Sequence, residues 1–281
     1  MEFILSGTGN SPADWKLIDV AASESELLGF WGFVMPDHYM GGREFGGNST
    51  LDTWLALTHI APRTETIRLG TLVTPITLRP PSILAKMVST LDNLSGGRAM
   101  LGVGAGSSQT EFDGYGQWSE SKIRVEKTNE ALSLILKLWT DDRVDFRGTY
   151  YSSNGAILEP KPQQKPHPPL LFGGVGRKML LMAGRYADIC LIPPFSQFSF
   201  GEAKKLVNEE AKRHGRDNEI SFAAVAGNLP SASTEYDAKH YLKMCEQAVE
   251  DGCDYLVVPF RREDYIESME DFATNIMPSF R

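Results

Sequence analysis

The sequence has few cysteines, no excess of positive charge and no long apolar run at its start. Its three cysteines form no Cys-x-x-Cys or Cys/His cluster, which argues against a disulfide framework and predicts no metal site. The formal net charge of −8 argues against nucleic-acid binding, because such proteins carry a basic surface that displaces counterions. Residues 1–15 contain neither a signal peptide nor a membrane span, so we expect a cytoplasmic protein with no membrane partner.

Short apolar runs alternate with amphipathic segments along almost the whole chain. The runs are continuous, which is typical of strands covered on both faces. They are residues 3–5, 32–36, 67–74, 99–104, 169–173, 187–192, 220–226 and 254–260. Helical patterns fit residues 12–28, 52–61, 80–94, 119–139, 177–186, 200–213, 236–251 and 262–277. About eight strand–helix pairs in strict order predict an α/β fold, a (β/α)₈ TIM barrel, as one domain over residues 1–281.

Two local features bear on this fold. An open, Rossmann-like sheet is the alternative, but its GxGxxG fingerprint requires three glycines after the first strand, and "SGTGNS" there supplies two. Residues 140–168 are too long for an ordinary loop. They predict an insertion between helix 4 and strand 5, with a small hairpin at "DFRGTYY" and an extended proline-rich segment.

A barrel nominates functional residues by position, because the chemistry of such folds lies at the C-terminal ends of the strands. Strand two is followed by Asp37 and His38. A histidine at a strand end can exchange a proton near neutral pH. In the alternative interpretation, Asp37 caps a turn and His38 packs against the rim.

Two glycine-rich stretches follow strands four and five. "GGVGRK" at residues 173–178 opens a helix, where backbone amides and Arg177 can hold a phosphate, although a tight turn needs the same glycines. In "GVGAG", the bare backbone at Gly104 and Gly106 either admits a flat ring or relieves crowding inside the barrel. One sequence leaves both alternatives open.

Several other residues have less specific interpretations. Two features are expected at the opposite end of the barrel, "SGGR" at residues 95–98 and Asp188. We predict a structural role for both. Arg261 and Arg262 either receive an acidic substrate group or are solvated charges. The side chains expected around the entrance suit a hydrophobic or aromatic molecule; they are Ser6, Met40, Phe45, Phe195 and Phe198.

Three stretches of the sequence resemble the luciferase-like monooxygenase superfamily. They are "DHY" at residues 37–39, the block from Ile67 to Gly106, and the segment from Tyr150 to Asp188. They more closely resemble its branch of oxidoreductases that depend on coenzyme F420, a deazaflavin. The resemblance is strong over residues 1–195. Beyond them it rests only on the regular alternation of strand and helix patterns.

The resemblance implies a set of site residues. His38 would be the catalytic proton donor or acceptor. The phosphate of the cofactor would lie on Gly173, Gly174, Val175, Gly176 and Arg177, and its ring would lie against a bulge with a cis peptide bond between Leu72 and Val73. The other implied cofactor contacts are Asp37, Leu72, Val73, Thr74, Gly104, Ala105 and Gly106.

The implied function is hydride transfer between coenzyme F420 and a small organic substrate. The alternatives are an FMN-dependent two-component monooxygenase and a non-catalytic flavin-binding paralogue. Ser107 stands where some sugar-phosphate dehydrogenases of this branch carry an acid, which weakens a glucose-6-phosphate dehydrogenase interpretation; Glu111, one helical turn on, is a weak substitute. The resemblance also implies a homodimer, with the helix around Trp54 as a candidate contact.

Overall fold

Strands and helices alternate along the chain in a computed structural model that describes residues 1–9, 11–40, 49–115, 118–227, 229 and 235–281. The strands in these ranges are β1 (Glu2–Ser6), β2 (Gly32–Met35), β3 (Arg68–Thr71), β4 (Thr74–Pro75), β5 (Ala99–Gly104), β6 (Val144–Arg147), β7 (Ser152–Ala156), β8 (Leu170–Gly173), β9 (Ile189–Leu191), β10 (Ser221–Val225) and β11 (Tyr255–Pro259). The helices are α1 (Trp15–Leu27), α2 (Thr53–Ile60), α3 (Pro81–Leu94), α4 (Gln109–Gly114), α5 (Ser121–Thr140), α6 (Arg177–Tyr186), α7 (Phe200–Arg213), α8 (Ala238–Glu250) and α9 (Tyr265–Asn275).

Eight parallel strands of the described residues close into a barrel. Their order around it is β1, β2, β3, β5, β8, β9, β10 and β11, and β11 pairs with β1. The pairing of β3 with β5, Leu69 opposite Ala99, joins the two ends of what would otherwise be an open sheet. The predicted (β/α)₈ barrel is confirmed, and the Rossmann-like alternative is wrong.

The barrel has an apolar interior and a larger apolar layer between its strands and helices. The interior side chains come from seven of the eight barrel strands; they are Ile4, Val34, Met100, Leu171, Ile189, Leu191, Ala223 and Val257. Outward-facing residues such as Phe172 and Phe222 pack into the outer layer with the helices. Because both faces of each strand are covered, the strands read as continuous apolar runs in the sequence.

The helices lie close to the predicted segments, with one addition. α6 and α7 match the predictions residue for residue, whereas α4 was not predicted and carries Glu111. Within the described ranges, no helix has both the length and the apolarity that crossing a bilayer requires.

The glycines in and just after β5 make room for other parts of the protein. A Cβ atom at Gly102 would lie 1.9 Å from the carbonyl oxygen of Thr71. At Gly106, whose φ is +79°, it would lie 2.4 Å from the ring of Phe112. Crowding by neighbouring chain segments therefore explains these positions. The idea that they are bare because a flat ring lies on them is not needed.

The insertion between α5 and β8 contains the predicted hairpin. β6 and β7 pair antiparallel, and the hairpin continues to Ala156, beyond the predicted "DFRGTYY". The carboxylate of Glu130, on α5, accepts hydrogen bonds from the backbone amides of Thr149, Tyr150 and Tyr151. This ties the hairpin turn to the barrel. The single domain over residues 1–281 stays a prediction.

The end of the barrel where the strands begin is held by one buried and one half-buried polar group. The guanidinium of Arg98 donates to the carbonyl oxygens of Ala61, Thr64 and Ile67. The carboxylate of Asp188 accepts the amide of Leu170, the first residue of β8. Both residues have the structural roles that the sequence predicted.

Candidate active site

The predicted site residues gather at the C-terminal ends of four neighbouring strands, the barrel mouth. β2 ends just before Asp37 and His38, and β3 ends just before Leu72. β5 and β8 end at Gly104 and Gly173. The pairings of β2 with β3, β3 with β5 and β5 with β8 place these ends side by side.

The chain bulges between β3 and β4, and the Leu72–Val73 peptide bond there is cis, as the family resemblance implied. The side chain of Val73 lies against two strand ends: a Cβ atom at Gly104 or Gly173 would lie 2.5 or 3.0 Å from its methyl groups. Leu72 and Val73 are half-buried and pack on the barrel interior. Together they form an apolar ledge at the barrel mouth. The cofactor contacts predicted for Leu72, Val73, Thr74, Gly104, Ala105 and Gly106 stay predictions.

The buried carboxylate of Glu111 holds His38. Nδ1 of His38 lies 3.1 Å from one carboxylate oxygen of Glu111, and the other oxygen accepts the amides of Tyr39 and Met40. The side chain of His38 is 22% exposed and that of Glu111 is 1% exposed. Burial raises the pKa of Glu111, but the hydrogen bonds from His38 and the two amides outweigh it and leave the pKa below its ordinary value. Glu111 is therefore ionised at neutral pH.

The sequence contained a signal for this residue. Residues 108–111 read Ser-x-x-Glu, a helix-start pattern, directly after a strand. In the structure Ser108 caps α4 and accepts the amide of Glu111. The carboxylate of Glu111 bonds to the segment after β2 rather than to its own helix start.

Asp37 forms a buried ion pair behind His38. Its carboxylate accepts both terminal nitrogens of Arg79, at 2.7 and 2.9 Å, and also Nε1 of Trp54 and Oγ1 of Thr74. Burial lowers the pKa of Arg79, but the charge and hydrogen bonds of Asp37 and a hydrogen bond to Asp52 raise it by more. The observed role of Asp37 is to fix the end of β2 against α2 and the bulge. Its cofactor contact stays a prediction.

The turn from β8 into α6 is open at Gly176. Among the described residues, a Cβ atom there would meet nothing within 4 Å, and no side chain caps α6. Arg177 and Lys178 are exposed in the first turn. Free amides and the positive end of the helix dipole at such a start attract anions. Gly174 is needed for packing as well, because a Cβ atom there would lie 2.8 Å from that of Met179.

The two arginines after β11 have acidic partners within the protein. Arg261 lies 3.1 Å from Asp264, and Arg262 pairs with Asp14 near the end of β1. Burial raises the pKa of Asp14, and Arg262 partly offsets that effect. The pair of Arg262 with Asp14 joins the strand-end segments of the first and last units of the barrel.

The side chains predicted around the entrance differ in position. Ser6 is buried, Met40 is half-buried and Phe195 is 66% exposed. Phe198 lines an apolar cavity of about 280 Å³ outside β10. Phe45 lies outside the described residues. Of this set, only Met40 lies beside His38 in the chain.

A second cavity, of about 630 Å³, lies between α5, the β6–β7 hairpin and α6. Glu126, Tyr150 and Arg185 are among its lining residues, and none of the predicted site residues is. It opens on the outer surface of the barrel. We therefore assign the candidate site to the barrel mouth.

Comparisons with known proteins agree with this geometry. A profile described as luciferase-like monooxygenase matches residues 4–270. An F420-dependent glucose-6-phosphate dehydrogenase from Nocardia farcinica is 35% identical over 207 residues, 72% of this chain. The chain spans 60% of the length of that relative.

Two solved structures have the same fold. An F420-dependent secondary alcohol dehydrogenase in complex with an F420–acetone adduct has a TM-score of 0.85 and 20% identity, covering 100% of this chain and 99% of its own. The monooxygenase RslO1 from Streptomyces bottropensis has a TM-score of 0.82 and 19% identity, covering 100% of both chains. Sequence identities this low support a shared fold and nothing more. The profile match over most of the sequence and the 35% identity to the dehydrogenase show more: this chain belongs to the luciferase-like monooxygenase family.

Proposed function

We propose that this protein is an F420-dependent oxidoreductase that transfers a hydride between the deazaflavin and a small organic substrate. The observation that carries the proposal is the imidazole of His38, held by Glu111 at the barrel mouth beside the apolar ledge. The 35% identity to an F420-dependent dehydrogenase supports this cofactor.

The residues at the barrel mouth fit a phosphate-bearing tricycle. Leu72 and Val73 offer a half-exposed apolar surface for a flat ring. The open helix start at Gly176, with the positive charge of Arg177, suits a phosphate. When bound, the deazaflavin supplies two electrons as a hydride.

His38 exchanges the proton that accompanies hydride transfer. Its side chain is partly exposed at the mouth, whereas its carboxylate partner is buried, so a substrate reaches the imidazole and not Glu111. Imidazole takes up and releases protons near neutral pH, which suits general acid–base catalysis. A C=C, C=N or C=O acceptor would gain its proton from this ring.

The substrate differs from a sugar phosphate in this proposal. Ser107 is exposed at the position where the resemblance leads one to expect an acid. Glu111 does not replace that acid, because its oxygens are taken by His38 and by two backbone amides. A neutral, hydrophobic or aromatic molecule fits better.

Titration of the purified protein with oxidised F420 and, separately, with FMN tests the proposal. We expect quenching of F420 fluorescence at micromolar protein and weaker binding of FMN. Tighter binding of FMN would favour the two-component monooxygenase, and binding of neither cofactor would contradict the enzyme.

A variant at His38 tests the proton transfer. His38→Asn should keep F420 binding and lose turnover by about 100-fold or more, the usual contribution of a general acid or base. Unchanged turnover would remove His38 from the reaction and leave cofactor binding intact as a separate result.

We also propose a homodimer in the cytoplasm, formed through α2 and α3. Trp54 cannot supply the contact, because it faces inward and bonds to Asp37. Leu55 on α2 and Ile83 on α3 are 70% and 54% exposed. Exposed aliphatic side chains on two neighbouring helices suit a subunit interface.

A further inference from the structure

Glu111 is built to accept hydrogen bonds. It lies in the first turn of α4, 1% exposed, and one of its oxygens accepts the amides of Tyr39 and Met40. The other oxygen lies 3.1 Å from Nδ1 of His38. An ionised carboxylate has no hydrogen to donate. The hydrogen in the contact with His38 must therefore belong to Nδ1.

The charge of Glu111 has one basic partner within the described residues. That partner is His38. Arg79, which stacks over Tyr39 at 4.5 Å, pairs with Asp37 and Asp52 instead. The orientation of the His38 ring is therefore coupled directly to this carboxylate.

We infer that Glu111 is a positioning residue that selects the tautomer of His38: it keeps the hydrogen of the neutral ring on Nδ1, so that Nε2 is the nitrogen that exchanges a proton with the substrate. The second half of this inference rests on the proposed function. The first half is a property of the protein alone.

The isosteric variant Glu111→Gln should invert this arrangement. The amide oxygen of glutamine can still accept the two backbone amides of Tyr39 and Met40. Its NH₂ group then faces Nδ1 of His38 as a donor, so Nδ1 must act as an acceptor and the hydrogen moves to Nε2. The shape of the side chain is preserved, but the hydrogen is on the wrong nitrogen.

Nitrogen-15 NMR of the imidazole rings tests the first half without substrate or cofactor. Spectra are recorded where the rings are neutral, and the His38 signals are assigned by their loss in His38→Asn. We expect the Nδ1–H tautomer in the wild type and the Nε2–H tautomer in Glu111→Gln. An Nε2–H tautomer in the wild type would overturn the inference, even if the variant fails to fold.

Kinetics test the second half, with Asp113→Asn, an exposed change on the same helix, as the matched control. Glu111→Gln should lower kcat by roughly 100-fold with little change in KM, since acid–base groups contribute at this scale, and the control should match the wild type. An inverted tautomer with unchanged kcat would overturn the role of Nε2. If the wild type shows the Nδ1–H tautomer but neither binds nor uses F420, the proposed function fails while the tautomer selection stands.

Discussion

One buried carboxylate, that of Asp37, belongs to the "DHY" segment, and a second, that of Glu111, contacts the segment; the two have different partners. Asp37 forms an ion pair with Arg79 and fixes the end of β2. Glu111 comes from another element and bonds to the ring of His38 and to the amides that follow it. Asp37 therefore fixes the backbone before His38, and Glu111 fixes the imidazole ring and the backbone after it.

The acid stability of the protein should depend on Glu111. Its pKa is lowered in the folded state, so its stabilisation is complete above the unfolded pKa of about 4.3 and is lost as pH falls through the folded value. Urea unfolding of the wild type and Glu111→Gln should differ by about 1.5–3 kcal/mol at neutral pH, the usual contribution of hydrogen bonds to a charged group. The difference should shrink at pH values below about 4.

Asp113→Asn is the control for this measurement, since its exposed side chain should leave the pH profile unchanged. A difference between the wild type and Glu111→Gln that stays constant down to about pH 3 would show that the ionised carboxylate does not supply the stability.

At the residue scale, the sequence could predict His38 but not its partner. His38 follows a strand whose position in the barrel is readable from the pattern of apolar runs. Glu111 is 73 residues away and reaches His38 through a short helix between two strands. The Ser-x-x-Glu signal predicts that helix, but it predicts nothing about where the carboxylate points.

At the scale of elements, β3 and β5 are packed too closely for side chains on part of β5. The carbonyl of Thr71 occupies the space beside Gly102, and the Val73 side chain occupies that beside Gly104. The two glycines of β5 are visible in the sequence. The groups that pack against them cannot be read from the sequence, because Thr71 and Val73 lie about thirty residues earlier, at the bulge.

Gly102→Ala should destabilise the protein by about 3 kcal/mol or more, because its Cβ atom would overlap backbone that cannot rotate away. Gly201→Ala, in α7, is the matched control: its Cβ atom would meet no atom of the described part of the chain within 4 Å. That variant should stabilise the protein by up to about 1 kcal/mol through helix propensity. Urea unfolding measures both, and equal effects would contradict the packing account.

At the scale of the whole molecule, the barrel could be predicted because its strands are buried on both faces and alternate regularly with helices. The predicted strand at residues 67–74 is instead split into β3 and β4 by the bulge at Leu72–Val73. Local apolarity cannot reveal such a break, since both bulged residues are themselves apolar. The length of residues 140–168 indicated the insertion, but its hairpin extends further along the chain than predicted.

The proposed dimer gives a prediction at the same scale. Leu55→Glu should convert a dimer into a monomer in sedimentation velocity, because it places a charge in the interface that α2 and α3 would form. Val249→Glu, at an exposed position on α8, should leave the dimer intact. A monomeric wild type, or a dimeric Leu55→Glu, would contradict the proposal.

Val73 packs against the ends of two other strands, and this limits which parts of the barrel mouth can change shape. A side chain that lies against the backbones at Gly104 and Gly173 has little room to move when a molecule binds. The apolar ledge is accordingly the less adaptable part of the barrel mouth, and adaptation to ligands of different shape is left to the connecting segments around it. Redesign for a new substrate should therefore begin in those segments and leave the apolar ledge unchanged.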